Sequence, residues 1–170
     1  VSRNALHSYG SLGDYKSTPF TKEAGVTSLL TGVTSTKHNV IGNDLSSADL
    51  ESYPTILKRI KSTNSDLTTT AFSANENIYN SLLKDADNGS IAATDAEVLQ
   101  KSTDELKNGS SDLIIAHFTE PFTVGSENSF EVDDQNYEAS LRKFDESIGL
   151  LINAIKERPS YAQENWLVII

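Results

Sequence analysis

The sequence contains no cysteine. That excludes disulfides, thiolate metal sites and cysteine nucleophiles, but it leaves the compartment open. Basic residues are also scarce. Fourteen Lys and Arg stand against 24 Asp and Glu, a formal net charge of −10 at pH 7. No basic patch stands out, and an acidic chain repels phosphate backbones, so nucleic-acid binding and docking on anionic membranes are disfavoured. No apolar run approaches the roughly 18 to 20 residues that a membrane-spanning helix needs. No signal peptide is present, so an export signal is expected to have been removed ahead of Val1.

What is present suits one folded domain over residues 1–170, with 37% apolar residues and enough length for a real core. The high Ser, Thr and Asn content fits an exported or surface protein. Asn88-Gly-Ser90 and Asn108-Gly-Ser110 carry the glycosylation pattern, which has meaning only in a eukaryotic secretory protein. Both read as turns.

Along the chain, Ala24 to Gly32 reads as a short helix stopped by Gly32. Residues 33–49 read as loop. Asp49 is the expected cap of a helix carrying Leu50, Ile56, Leu57 and Ile60, with Pro54 in its first turn. Leu67 to Phe72 reads as a strand, Asn75 to Leu83 as a helix and Asp85 to Ser90 as a loop. Thr94 followed by Glu97 is a capping-box pattern opening a helix to about Leu106. Asp112 to Phe118 is a near-continuous apolar run, as a strand buried on both faces shows. Residues 119–132 read as loop. A long helix starts near Asp133 or Asp134 and carries Tyr137, Leu141, Phe144, Ile148, Leu151 and Ile155 at steps of 4, 3, 4, 3 and 4, an amphipathic period. Pro159 ends it, and Trp166 to Ile170 reads as a second buried strand. Alternating strand and helix predicts an α/β fold with a mostly parallel sheet.

Several segments, in this order, resemble one superfamily. Val1-Ser-Arg-Asn-Ala-Leu6 resembles the stretch after a first metal-binding Asp-Gly. Ala24-Gly-Val-Thr-Ser-Leu-Leu-Thr-Gly-Val33 resembles the helix behind the nucleophile. Lys37-His38 with Asn43 resembles a Lys-His-Gly-x-x-x-Asn loop. Tyr53 to Ile60 with Thr68 to Ala71 resembles the helix and strand that follow. The helix from Tyr137 through Asp145 to Arg158-Pro159, then Asn165 to Ile170, resembles the run into an Asp-His-Gly metal motif. The chain thus resembles the alkaline phosphatase superfamily, in its sulfatase and nucleotide pyrophosphatase/phosphodiesterase branch. The resemblance implies an alkaline-phosphatase-like core with helices flanking the sheet, incomplete at both ends.

It also implies a Thr, Ser or formylglycine nucleophile attacking phosphorus or sulfur, aided by zinc in the phosphodiesterase branch or calcium in the sulfatases. Counting back from Gly32 by the family's spacing gives Lys22, which is no nucleophile for this reaction. Thr21, one place away, is the candidate nucleophile. Its competing reading is a helix cap, with Glu23 and Ala24 in the first turn. The family's Glu-Pro-Asp-x-x-Gly-His element aligns with Glu120-Pro-Phe-Thr-Val-Gly-Ser126. Glu120, Pro121 and Gly125 keep the frame. Phe122 replaces the Asp and Ser126 the His, and neither suits a zinc site. The remaining ligands would precede Val1 and follow Ile170.

Of the three histidines, two read as structural. His38 matches a loop residue that organises backbone, His117 sits in the buried-looking strand, and His7 is uninformative. Glu127, Glu131, Asp133 and Asp134 form an acidic cluster whose spacing fits no calcium loop; acids at a helix start are favoured by its dipole. Asp145 reads as structural. Gly10 and Gly13 do not make a phosphate loop, because no Lys-Ser/Thr follows at the needed spacing.

The expected function is a domain that has lost catalysis and serves binding or scaffolding at an exported surface, periplasmic, cell-surface or secreted. Its ligand would be a small molecule or glycan, such as a sugar or a phosphorylated or sulfated compound. No cofactor-binding or metal-ligating residue is assigned in this chain. The alternative is a metal-dependent phosphodiesterase, phosphatase or sulfatase that uses Thr21, with zinc or calcium held by residues beyond this chain.

Overall fold

The structure is a computed structural model that describes residues 21–131 and 133–170. The Val1–Leu6 segment, His7, Gly10 and Gly13 lie outside the described residues. The rest is α/β. Strands β1 (Thr69–Ser73), β2 (Asn88–Ile91) and β3 (Leu113–His117) form a parallel sheet in the order β2-β1-β3. Ser73 pairs with Ile91 on one side and His117 on the other, so the three carboxyl ends lie level.

β1 is the centre, and all five of its residues are buried. Its polar positions are tolerable because each hydroxyl is bonded. Thr69 Oγ1 donates to Asp87 at 3.0 Å, and Thr70 Oγ1 lies 2.6 Å from Ser111 Oγ. Side chains alternate between the two faces of the sheet. Ala71, Leu113 and Ile115 meet a core of Leu30, Val40, Leu57, Ile78, Leu82 and Leu83. Phe72 and Ala116 pack with Val98 on the other face, where Ile114 joins Leu106, Ala154 and Ile155.

Helix α1 (Lys22–Thr31) ends as expected at Gly32, which takes φ 71°. A short helix α2 (Ser35–His38) lies inside the segment read as loop. Helix α3 (Ile56–Thr63) starts later than expected, after Thr55. Tyr53 precedes Pro54 and is driven away from helical backbone, so Pro54 lies outside the helix. Asp49 instead closes a turn, accepting from Ser52 N at 3.0 Å. Helix α4 (Glu76–Ile78) is capped by Asn75 and widens into a π-turn over Tyr79–Leu83.

β2, expected from its composition as a turn, is a strand. Its residues are largely exposed, and Gly89 has φ 136°. A Cβ there would stand 1.9 Å from Ala71 O. Asn-Gly-Ser carries no strand propensity; the pairing with β1 creates this strand.

Helix α5 (Asp95–Asn108) opens on the expected cap, with Thr94 Oγ1 accepting from Glu97 N at 3.2 Å. Glu97 reaches back to Ala93 N at 2.7 Å. Thr94→Ala should cost about 1 kcal/mol, read as a lower urea midpoint with an unchanged slope. An unaltered midpoint would show that the cap contributes nothing.

Helix α6 (Glu120–Glu127) occupies the segment read as loop, and helix α7 (Gln135–Lys156) follows, capped by Asp134. After α7, Arg158 donates to Glu164 at 2.8 Å and also to Leu106 O, and Trp166 Nε1 donates to Glu164 at 2.8 Å. This knot fixes Trp166 against the end of α5. Beyond it the expected strand is absent. Residues 164–170 have no regular structure, with Leu167 82% and Ile169 73% exposed. β3 is likewise half-buried throughout rather than buried, because no strand pairs with its outer edge among the described residues.

Candidate functional site

The order β2-β1-β3 means the chain leaves β1 towards one side and returns past it to the other. In open α/β sheets the crevice at such a switch point, beyond the carboxyl ends of the strands, is where ligands bind. Here that end of the sheet is marked by Ser73 and His117, whose side chains are hydrogen-bonded to each other.

Ser73 Oγ donates to Asn75 O and accepts from Asn75 N, both at 3.0 Å. His117 Nδ1 lies 2.8 Å from the same oxygen. The Ser73 hydrogen points to Asn75, so the network assigns the imidazole proton to Nδ1 and leaves the lone pair on Nε2. Burial chiefly, and then the Lys22 charge, hold His117 below the ordinary histidine pKa. Asp95 and Glu23 pull it the other way. His117 is therefore neutral near pH 7, fixed by Ser73 and surrounded by Lys22, Glu23 and Asp95.

Lys22 meets Phe122. The ammonium sits 5.1 Å from the ring centroid, within cation–π range. It also pairs with Glu23 at 3.2 Å, and Glu23 is otherwise buried. Ser126 lies exposed on α6, its hydroxyl donating to Thr123 O at 2.8 Å. The donor set at these positions, a phenyl ring and an engaged hydroxyl, fits neither zinc nor calcium. Among the described residues no group of three or more His, Asp or Glu is placed to hold a metal ion.

Thr21 is the cap of α1. Its Oγ1 accepts from Ala24 N at 3.3 Å and donates to Gly42 O at 3.0 Å. It faces the 39–49 loop, and its hydrogen is committed there. Asp95 is the site residue that the sequence reading missed. Its carboxylate crosses from α5 to the start of α6 and accepts from Thr119 N at 2.8 Å and Glu120 N at 2.7 Å. A helix start of this kind is a ready oxyanion site, but here the chain's own carboxylate fills it. The Thr94–Glu97 capping pattern marked the neighbourhood without showing that Asp95 reaches α6.

His38 is fully buried and bridges two segments. Val40 N donates to its Nδ1 at 3.1 Å, so Nε2 carries the proton and donates to Ser28 Oγ at 2.8 Å. Burial lowers its pKa. Asp134 caps α7 by accepting from Tyr137 N at 2.8 Å, while Glu127, Glu131 and Asp133 are exposed. Asp145 lies exposed on the outer side of α7, not in a core contact. Two cavities of about 180 and 300 Å³ run along the seam of α5 and α7 and share Leu99 and Leu150. No helix among the described residues is long and apolar enough to cross a membrane. No family model, curated protein or solved structure matches this chain.

Proposed function

We propose that this chain is a non-catalytic α/β domain of alkaline-phosphatase or sulfatase type, retained for ligand binding at an exported surface. The observation that carries the reading is the contact between Lys22 and Phe122. In a working hydrolase of this type those positions hold a nucleophile and a metal ligand; here they hold an ammonium parked on a ring. Two further facts support it. The Thr21 hydroxyl is consumed in capping, and the helix start that would steady a transferring oxyanion is occupied by Asp95. Phosphoryl or sulfuryl transfer requires positive charge at the developing oxyanion. The Lys22 charge is offset by Glu23.

The test is turnover of p-nitrophenyl phosphate, bis-p-nitrophenyl phosphate and p-nitrophenyl sulfate with zinc or calcium added. The expected result is no metal-dependent hydrolysis above buffer, with Thr21→Ala indistinguishable from the native chain. Metal-dependent turnover that disappears in Thr21→Ala would establish the rival reading, a hydrolase using Thr21.

A further inference from the structure

We propose that helix α6 is a lid over Lys22, and that the Asp95 carboxylate is the latch that holds it shut. The device goes beyond the ligand-binding reading above and does not depend on it.

A segment stays closed in proportion to what it buries, and α6 buries little. Gly125 is its one buried residue, while Phe122, Thr123, Ser126 and Glu127 are exposed. No side chain of α6 joins the apolar clusters on either face of the sheet. The ring packed on Gly125 is that of Phe130, from the chain that follows the helix. Elements with so few buried apolar contacts open locally, at a lower free energy than the core.

What holds α6 is mainly polar, and it converges on Asp95. This residue stands in the first turn of α5. Its carboxylate accepts from Thr119 N at 2.8 Å, Thr119 Oγ1 at 3.2 Å and Glu120 N at 2.7 Å. Bonds to an ionised acceptor are about twice as strong as neutral ones, and these fix the backbone where it enters α6. The other ties are weaker. Lys143 of α7 pairs with Glu120 at 2.7 Å, but the two side chains are 57% and 36% exposed, and such pairs contribute little. Phe130 meets Tyr137 of α7 with centroids 5.5 Å apart. The chain is pinned on both sides of the lid. Ahead of it Phe118 packs edge-on to Phe144 at 5.6 Å, and behind it Asp134 caps α7. Released by Asp95, α6 pivots between those two points.

The group that the lid covers is Lys22. The Phe122 ring lies 5.1 Å from its ammonium, and the Lys22 side chain is only 19% exposed. When α6 swings away, the ammonium loses the ring and meets solvent, with Glu23 still beside it.

Amide exchange of the full chain, read by mass spectrometry, tests the lid; acetylation of lysines by N-acetoxysuccinimide reports the cover. In the native chain, the amides of Thr123 and Asn128 should exchange faster than those of Thr69–Ser73, with a smaller dependence on dilute urea. Asp95→Asn should speed exchange across residues 119–128 about tenfold or more, and leave β1 and residues 98–106 of α5 within about twofold. Acetylation of Lys22 should rise severalfold relative to the exposed Lys37. Lys143→Met, which removes only the surface pair, should change α6 exchange by less than about fivefold. Native α6 amides that exchange only together with β1 overturn the lid, and that measurement needs no variant. Equal acceleration of α6, α5 and β1 in Asp95→Asn, or none in α6, overturns the latch. Lys22 acetylation that stays constant while α6 exchange rises overturns the cover. If Asp95→Asn does not fold, Asp95→Glu, which keeps the charge but displaces the oxygens, carries the same expectation at smaller size. Ester turnover by the chain removes the non-catalytic reading and leaves this one standing.

Discussion

Gly89→Ala is expected to lower the stability of the chain by about 3 kcal/mol and to release β2 from the sheet. Two costs combine. The backbone at Gly89 has φ 136°, a region that side chains on Cβ make unfavourable. The new Cβ would also lie 1.9 Å from Ala71 O and 2.8 Å from Ala71 C. Those are backbone atoms of the buried central strand, so neither can yield without moving the core. Chemical denaturation gives the first readout, and amide exchange across Asn88–Ile91 gives the second. A midpoint within error of the native value would mean that β2 does not approach β1 as closely as described.

His38→Ala should cost about 2 to 4 kcal/mol, because it leaves a buried donor at Val40 N and the Ser28 hydroxyl unpaired and opens a cavity. The same residue predicts a pH dependence. His38 and His117 both have pKa values lowered in the folded chain, chiefly by burial. As the pH falls, the unfolded chain therefore takes up protons first. The stability due to their neutral forms is complete above about pH 6.5 and declines as the pH drops below that value. Protonated His38 would also turn Nδ1 into a donor facing Val40 N, two donors in opposition. Thermal melts from pH 8 to pH 5 should show a falling transition temperature. The slope should be shallower in a folded His38→Gln variant, with His117 supplying the remainder. At more acidic pH a separate loss follows from Asp87. The Lys61 side chain first, and then Thr69 N, hold its pKa down to about 2. Its contribution is present above about pH 4 and fades as the pH falls towards that value. A transition temperature independent of pH between 8 and 5 would mean that neither histidine is held neutral by the fold.

The parts of the fold legible in the sequence were those governed by local chemistry. The steps of α7, the stop at Gly32 and the Thr94 cap each rest on residues within a few positions of one another, and the structure shows all three. The parts missed depend on distant partners. β2 has the composition of a turn and becomes a strand only against β1. α6 has a proline at its start and a cap supplied by Asp95 from another helix. Trp166 to Ile170 has the composition of a buried strand, yet composition cannot supply a pairing neighbour. The site divides in the same way. The reading of Thr21 as a cap follows from immediate sequence context. The junction of Lys22 with Phe122, and that of Ser73 with His117, required the sheet to bring together segments far apart in the chain. The seating of Phe130 on Gly125 had no signal in a segment that reads as loop.

The order β2-β1-β3 also bears on the entropy of closing the chain. Thr69 meets Asp87 across 18 residues, whereas Thr68 meets Asp112 across 44. Closing the longer loop costs roughly 0.8 kcal/mol more chain entropy. Chain entropy alone therefore favours pairing β2 with β1 before β3 docks. The Ser73–His117 hydrogen bond, and with it the tautomer it fixes, exists only once β3 has paired with β1.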